Sequence, residues 1–205
     1  RVLPGMTVLS PCDATQTRLA TLAAIRDISG PVYIRFGREA VPDFTPETLP
    51  FIPGEAQLFK GGTDVCLIAT GHMVWEALEA AKILDTENIS ASVLNIHTIK
   101  PLHEEAVVRA AQHTGAIVCA EEHQIIGGLG GAVAETLARH CPVPVEFIGV
   151  YDQFGESGSP AALMKKYKLT ATDIAQAALR APLGSLRPRG AFFGDLHSRK
   201  LPAKH

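Results

Sequence analysis

Residues 115–141 read "GAIVCAEEHQIIGGLGGAVAETLARHC", and the way this stretch divides decides the fold. Its first part, Gly115 to Ala120, is a short apolar run of the kind that forms a buried strand. Its last part places Ala134, Leu137, Ala138 and Cys141 on one stripe of a helix. Between them stand Glu121, Glu122, His123 and four glycines. A dinucleotide fingerprint requires G-x-G-x-x-G/A directly after a strand, so that the pyrophosphate can approach the backbone and the helix N-terminus. Counted from Gly128, Gly130 fits but the last position is Val133, and the apolar run ends several residues before the first glycine. The stretch therefore reads as a strand-to-helix turn with two carboxylates and a histidine at the carboxyl end of a strand, the edge at which open α/β sheets bind ligands.

The same alternation extends in both directions. Apolar runs with β character occur at Met6–Leu9, Val32–Phe36, Val65–Ala69, Ala91–Ile96, Ala116–Cys119 and Val145–Val150. Between the first two, Asp13 is a candidate N-cap with Gln16 three residues on, and Leu19, Leu22 and Ala23 share a face. Val74, Ala77, Leu78 and Ala81 form a second stripe. Glu104 and Glu105 occupy the first turn of a third helix, where the helix dipole favours negative charge. Ser159-Pro160 reads as N-cap and N1 of a short helix, and Thr170 with Asp173 starts the last one. Strands alternating with helices predict a three-layer α/β/α domain around a mainly parallel, mixed sheet of about five strands.

One segment breaks the rhythm. Between Arg38 and Val65 the chain, which includes "AVPDFTPETLPFIPGE", is punctuated by proline and glycine and reads as a linker. The strand, helix and strand before it cannot bury enough surface to stand alone. Residues 1–44 are accordingly expected to be the end of a domain, residues 45–183 an α/β domain, and residues 184–205 a tail made basic by Arg187, Arg189, Arg199, Lys200 and Lys204.

Composition narrows the partners. The chain has 205 residues, 46% hydrophobic and 20% charged, with a net charge of −2. That balance suits a globular domain and gives no electrostatic reason to expect nucleic acid. No stretch has the apolar length of a membrane span, and no leader pattern opens the chain, so a cytoplasmic location is expected. Cys12, Cys66, Cys119 and Cys141 lack metal or disulfide spacing and read as reduced thiols, and no His/Asp/Glu spacing suggests a metal site. Glu122 and His123 could act as an acid/base pair or serve as a contact cluster. His72 reads as a turn residue, His97 and His103 as surface or interface residues, and Trp75 as a core or subunit contact.

In order and spacing, "PGMTVLSPCDATQT", "GPVYIRFGREAVP", "NIHTIKPLHEE", "EEHQIIGGLGGAVAE" and "FGESGSPAALMKKYKLTATDIAQAAL" resemble the C-terminal part of transketolase, over residues 4–182. The resemblance implies that residues 1–44 finish the pyrimidine-binding domain of a thiamine diphosphate enzyme and that the rest is its C-terminal domain. It implies transfer of a two-carbon ketol unit from a ketose phosphate to an aldose phosphate, with thiamine diphosphate and Mg²⁺ as cofactors of the complete enzyme. The catalytic glutamate and the cofactor and metal ligands would lie upstream, in an N-terminal part or subunit. This segment alone would then be inactive, carrying no catalytic, cofactor-binding or metal-binding residue, and would assemble as a homodimer. One substrate-binding residue carries over: Arg38, which follows the strand "VYIRF" where transketolases hold the substrate phosphate. A guanidinium offers a fork of donors matched to phosphate oxygens. Read without the resemblance, Arg38 is equally a solvated arginine beside Glu39, and Arg35 is the second candidate. The sister readings are 1-deoxyxylulose-5-phosphate synthase, a 2-oxoacid dehydrogenase beta subunit, or a non-catalytic module for dimerisation or anion binding.

Overall fold

The computed structural model describes residues 1–181; the basic tail expected at 184–205 lies outside the described residues. The elements run β1 (Thr7–Leu9), α1 (Ala14–Arg26), β2 (Val32–Ile34), β3 (Gln57–Lys60), β4 (Val65–Ala69), α2 (Met73–Thr86) and β5 (Ala91–Asn95). They continue with β6 (Thr98–Lys100), α3 (Glu104–Thr114), β7 (Ile117–Gln124), α4 (Leu129–His140), β8 (Val145–Val150), α5 (Pro160–Lys166) and α6 (Ala171–Arg180).

A five-stranded mixed sheet in the order β3-β5-β4-β7-β8 forms the centre. β5, β4, β7 and β8 are parallel and β3 joins one edge antiparallel. β4 and β5 are buried at every position, as strands covered on both faces must be. Their alternating side chains serve two cores. Leu67, Val93 and Val118 meet α2 and α6 on one face, whereas Ile68, Ile117 and Cys119 meet α3 and α4 on the other. The α/β/α architecture expected from the sequence is present.

The capping signals behave as their chemistry requires. The Asp13 side chain accepts the Gln16 backbone N–H at 2.8 Å, and Thr170 with Asp173 forms a reciprocal capping box. Ser159 caps α5 with Pro160 in its first turn.

Several expectations need correction. Residues 38–65 are not purely linker, because Gln57–Lys60 forms edge strand β3 against β5. β6 is a further strand that the apolar runs do not mark. Its three residues pair antiparallel with β1, giving a second sheet in the order β2-β1-β6. β7 does not stop at Cys119 but continues to Gln124. In α4 the buried stripe is Leu129, Val133 and Leu137 with Ala132 and Thr136, so of the predicted stripe Leu137 alone is fully buried. In α1 the buried face is Gln16, Ala20 and Ala23, leaving Leu19 and Leu22 half-buried. In both helices the contact side is set by neighbours distant in sequence, which periodicity does not register.

The small sheet is joined to the large one at the β5–β6 junction. Ile96 N–H donates to Ala69 O at 2.9 Å on the large sheet, and Ser10 N–H donates to His97 O at 2.8 Å on the small one. Beneath the junction, Asn95, Gln16 and Gln57 form a buried polar cluster. The Asn95 amide donates to both glutamine oxygens at 3.2 and 3.3 Å, and the Gln16 amide donates to Gln57 Oε1 at 2.7 Å.

Candidate functional site

The glycine-rich turn has a physical explanation. β7 and β8 lose register between Ala120 and Gln124, and this irregularity carries the Glu121 side chain inward. Glu121 is buried, and its carboxylate accepts the N–H groups of Leu129 and Gly130, each at 2.8 Å. The chain's own anion therefore occupies the N-terminus of α4, the place a phosphate would take in a dinucleotide site. Burial pushes the Glu121 pKa up, and the two backbone donors oppose that shift. The glycines permit the approach. A Cβ on Gly128 would lie 1.8 Å from Glu121 Oε2, and one on Gly130 would lie 2.7 Å from the Phe147 ring.

The neighbouring residues separate rather than cluster. Glu122 is half-buried, while His123 is exposed with Nδ1 3.0 Å from Gln124 O. Nothing brings the two together as an acid/base couple. His72 precedes α2 and sits 3.7 Å from Glu76. His103 is half-buried, its Nδ1 accepting Ala56 N–H at 2.9 Å. His97, expected at the surface or at an interface, is fully buried at 0% exposure. Its ring packs on Phe51 at 4.1 Å, Nδ1 lies 2.9 Å from Thr98 Oγ1, and Nε2 has no partner among the described residues. Burial, assisted by nearby His103, lowers its pKa to about 3, so the ring is neutral. It belongs to the junction between the sheets, because β6 folds back on β1.

Cys12, Cys66 and Cys119 are free and buried, and Cys141 is free and half-buried. Burial pushes the Cys12 and Cys66 thiols up to about 12, which makes them poor nucleophiles. Among the described residues no group of three or more His, Cys, Asp or Glu side chains is placed to hold a metal ion. Trp75 is half-buried, packed 5.6 Å from Phe44.

The two candidate arginines differ in what engages them. Arg35 is half-buried and its guanidinium donates to the backbone carbonyl of Glu122 at the end of β7. Arg38 is exposed on the segment after β2, with no ion pair to Glu39 and no hydrogen bond among the described residues. It lines a cavity of about 770 Å³ shared with Arg18, His72, Glu122, Met164 and Tyr167. This cavity lies where the carboxyl ends of β1, β2, β4 and β7 meet α5, the side of an α/β fold on which ligands bind. Sequence reasoning did not single out Arg18, because an exposed helical arginine carries no local signal.

Comparison with known proteins follows the same lines. The model of the transketolase C-terminal domain matches residues 54–174. The chain is 49% identical over 178 residues to a 6-deoxy-6-sulfo-D-fructose transketolase subunit of Clostridium sp. (strain MSTE9), covering 87% of this chain and 55% of that protein. It is 41% identical over 180 residues to an apulose-4-phosphate transketolase subunit of Phocaeicola vulgatus, covering 87% and 57%. A 1-deoxy-D-xylulose-5-phosphate synthase of Heliobacterium modesticaldum is 36% identical over 183 residues, covering 87% of this chain and 28% of that protein. A solved split gene transketolase, described as an inactive beta4 tetramer, superposes with a TM-score of 0.85 at 49% identity, covering 88% and 59%. The chain thus spans about half the length of the transketolase subunits it matches. No helix among the described residues is long and apolar enough to cross a membrane.

Proposed function

The chain belongs to the transketolase C-terminal domain family, and on that premise we propose that it is the C-terminal portion of a transketolase, binding the anionic tail of a sugar substrate and assembling with the part that carries the cofactor. Residues 1–44 finish the pyrimidine-binding domain in this reading, and residues 45–183 form the C-terminal domain. The transferred unit is a two-carbon ketol, moved from a ketose phosphate to an aldose phosphate.

Transketolases use thiamine diphosphate, which supplies the carbanion chemistry when bound. The glycine-rich helix start is not open to its diphosphate, since it already holds the Glu121 carboxylate. The role of this chain is to bind and orient. Its apolar exposure supports assembly: Val2, Leu3, Ile25, Tyr33 and Phe36 all project from the first 36 residues. Light scattering of the purified chain is expected to give a dimer or larger species, and a strict monomer at high concentration counts against self-assembly.

The observation that carries the assignment of Arg38 is its exposed guanidinium, unpaired among the described residues, on the segment after β2 and lining the cavity, while Arg35 is engaged by Glu122 O. In the assembled enzyme, Arg38→Ala is expected to raise KM for phosphorylated sugars on the order of ten- to a hundredfold, the worth of one or two charge-assisted hydrogen bonds. KM for unphosphorylated sugars should change far less. Equal effects on both remove the role of Arg38. A second reading, a sulfonate-tailed ketose, is favoured by the 49% identity to the sulfo-fructose transketolase subunit. Both tails present oxygens to the same fork of donors, and comparing kcat/KM for matched phosphate and sulfonate sugars separates them.

A further inference from the structure

Arg38 is useful as an anion clamp only if the segment that carries it is held in place, and the chain provides anchors on both sides. Before it, Arg35 N–H donates to Leu9 O at 2.8 Å, which ends the β1–β2 pairing. From Phe36 to Pro42 no hydrogen bond ties the segment to its surroundings among the described residues. After it, two carboxylates bind the chain to the first turn of α1. Asp43 Oδ1 accepts Thr15 N–H at 3.1 Å and Asp43 Oδ2 accepts the Thr15 hydroxyl at 2.9 Å. Asp13 is 3% exposed and divides its oxygens. Oδ1 caps α1 through Gln16 N–H, while Oδ2 accepts Phe44 N–H at 3.1 Å and Thr45 N–H at 2.7 Å. The Phe44 ring then enters an aromatic group, 5.5 Å from Phe59 and 5.6 Å from Trp75.

A helix cap needs one oxygen of Asp13. The second oxygen is directed at the far end of the Arg38 segment, which a cap alone does not require. We propose that Asp13 and Asp43 are positioning residues for Arg38, fixing the return of its segment so that the guanidinium stays at the cavity that Arg38 and Asp13 both line. The inference rests on the reading of Arg38 as the clamp on the substrate's anionic tail. Tethering shortens the free span and lowers the entropy lost when the arginine is ordered on its ligand. A displacement on the order of 1 Å at a positioned group costs up to about a hundredfold in rate.

The test uses the assembled enzyme with a pentose phosphate and the matching unphosphorylated pentose. Asp13→Asn keeps an oxygen to cap α1 but sets an amide N–H₂ against the Phe44 and Thr45 N–H groups. It is expected to raise KM for the phosphorylated sugar about tenfold more than KM for the unphosphorylated one. Asp43→Ala is expected to act in the same direction with a smaller shift. Combined with Arg38→Ala, either substitution should add nothing further to the loss of selectivity, since the tether acts through the arginine. A purely structural role would raise both KM values together and add to the Arg38→Ala effect. If Arg38→Ala discriminates between the two sugars while Asp13→Asn and Asp43→Ala do not, the tether is wrong and the clamp survives. If Arg38→Ala does not discriminate, both fall. Should Asp13→Asn fail to fold, the exposed Asp43→Ala decides alone.

Discussion

The first 44 residues and the sheet domain that follows differ in how their strands are covered. In the five-stranded domain Val65 to Ala69 are at 1% exposure or less, and both faces are covered by helices. In the first region Ile25 is 77% exposed and Phe36 61%, and the small sheet has its third strand, β6, supplied from the second region. The difference separates a part of the chain whose sheet is covered on both faces from a smaller part with a denser share of exposed apolar side chains, although the larger part also exposes Ile126 at 73% and Phe154 at 96%. The cavity lies along their boundary: Arg38 comes from the first region, and His72, Glu122 and Tyr167, which also line it, come from the second.

Three substitutions or titrations test this contrast, in decreasing order of effect. Leu67→Ala, at the centre of the closed core, is expected to cost about 3 kcal/mol, read from the urea midpoint of the purified chain. A loss under about 1 kcal/mol would mean that the core is not the tightly packed one described.

Acid should open the seam between the regions next. His97 has a folded pKa of about 3 against an ordinary 6.5, so below pH 6.5 the unfolded chain takes up a proton that the folded chain refuses. Stability should fall from pH 6.5 downward, by about 2 kcal/mol at pH 5 from this group. His103, also lowered chiefly by burial, acts in the same direction. Glu121, raised by burial, acts oppositely, because its folded form gains a proton first as the pH falls. His97→Gln should flatten the profile between pH 6.5 and 5. An unchanged slope would place the acid sensitivity elsewhere.

Ile25→Ser should have the smallest effect on the chain's own stability, within about 0.5 kcal/mol, because that side chain is already in water. If the first region buries Ile25 against a partner, the same substitution should weaken assembly by sedimentation. A change in neither property would show that Ile25 is simply tolerated at the surface.

Much of the architecture was legible because it is written in local periodicity. Val65–Ala69 and Val145–Val150 are strands with the bounds the apolar runs suggest, and the caps at Asp13, Ser159 and Thr170 form from residues three apart or fewer. β3 and β6 escaped because three or four residues carry too little pattern. Each is stabilised by a partner strand far away in the chain, Ala91–Asn95 for β3 and Thr7–Leu9 for β6. The full burial of His97, read as a surface or interface residue, escaped for the same reason: the Phe51 ring that packs on it is invisible in "NIHTIKPL".

By itself the sequence determined the layered alternation, the helix caps and the family, since these depend on residue types at short, regular spacings. Tertiary structure decided that Glu121 fills the glycine-rich helix start, that among the described residues Arg35 is engaged and Arg38 is not, and that Asp13 reaches across to Thr45. Each of those outcomes depends on distances between atoms carried by separate elements, which come together only when strands pair and helices pack.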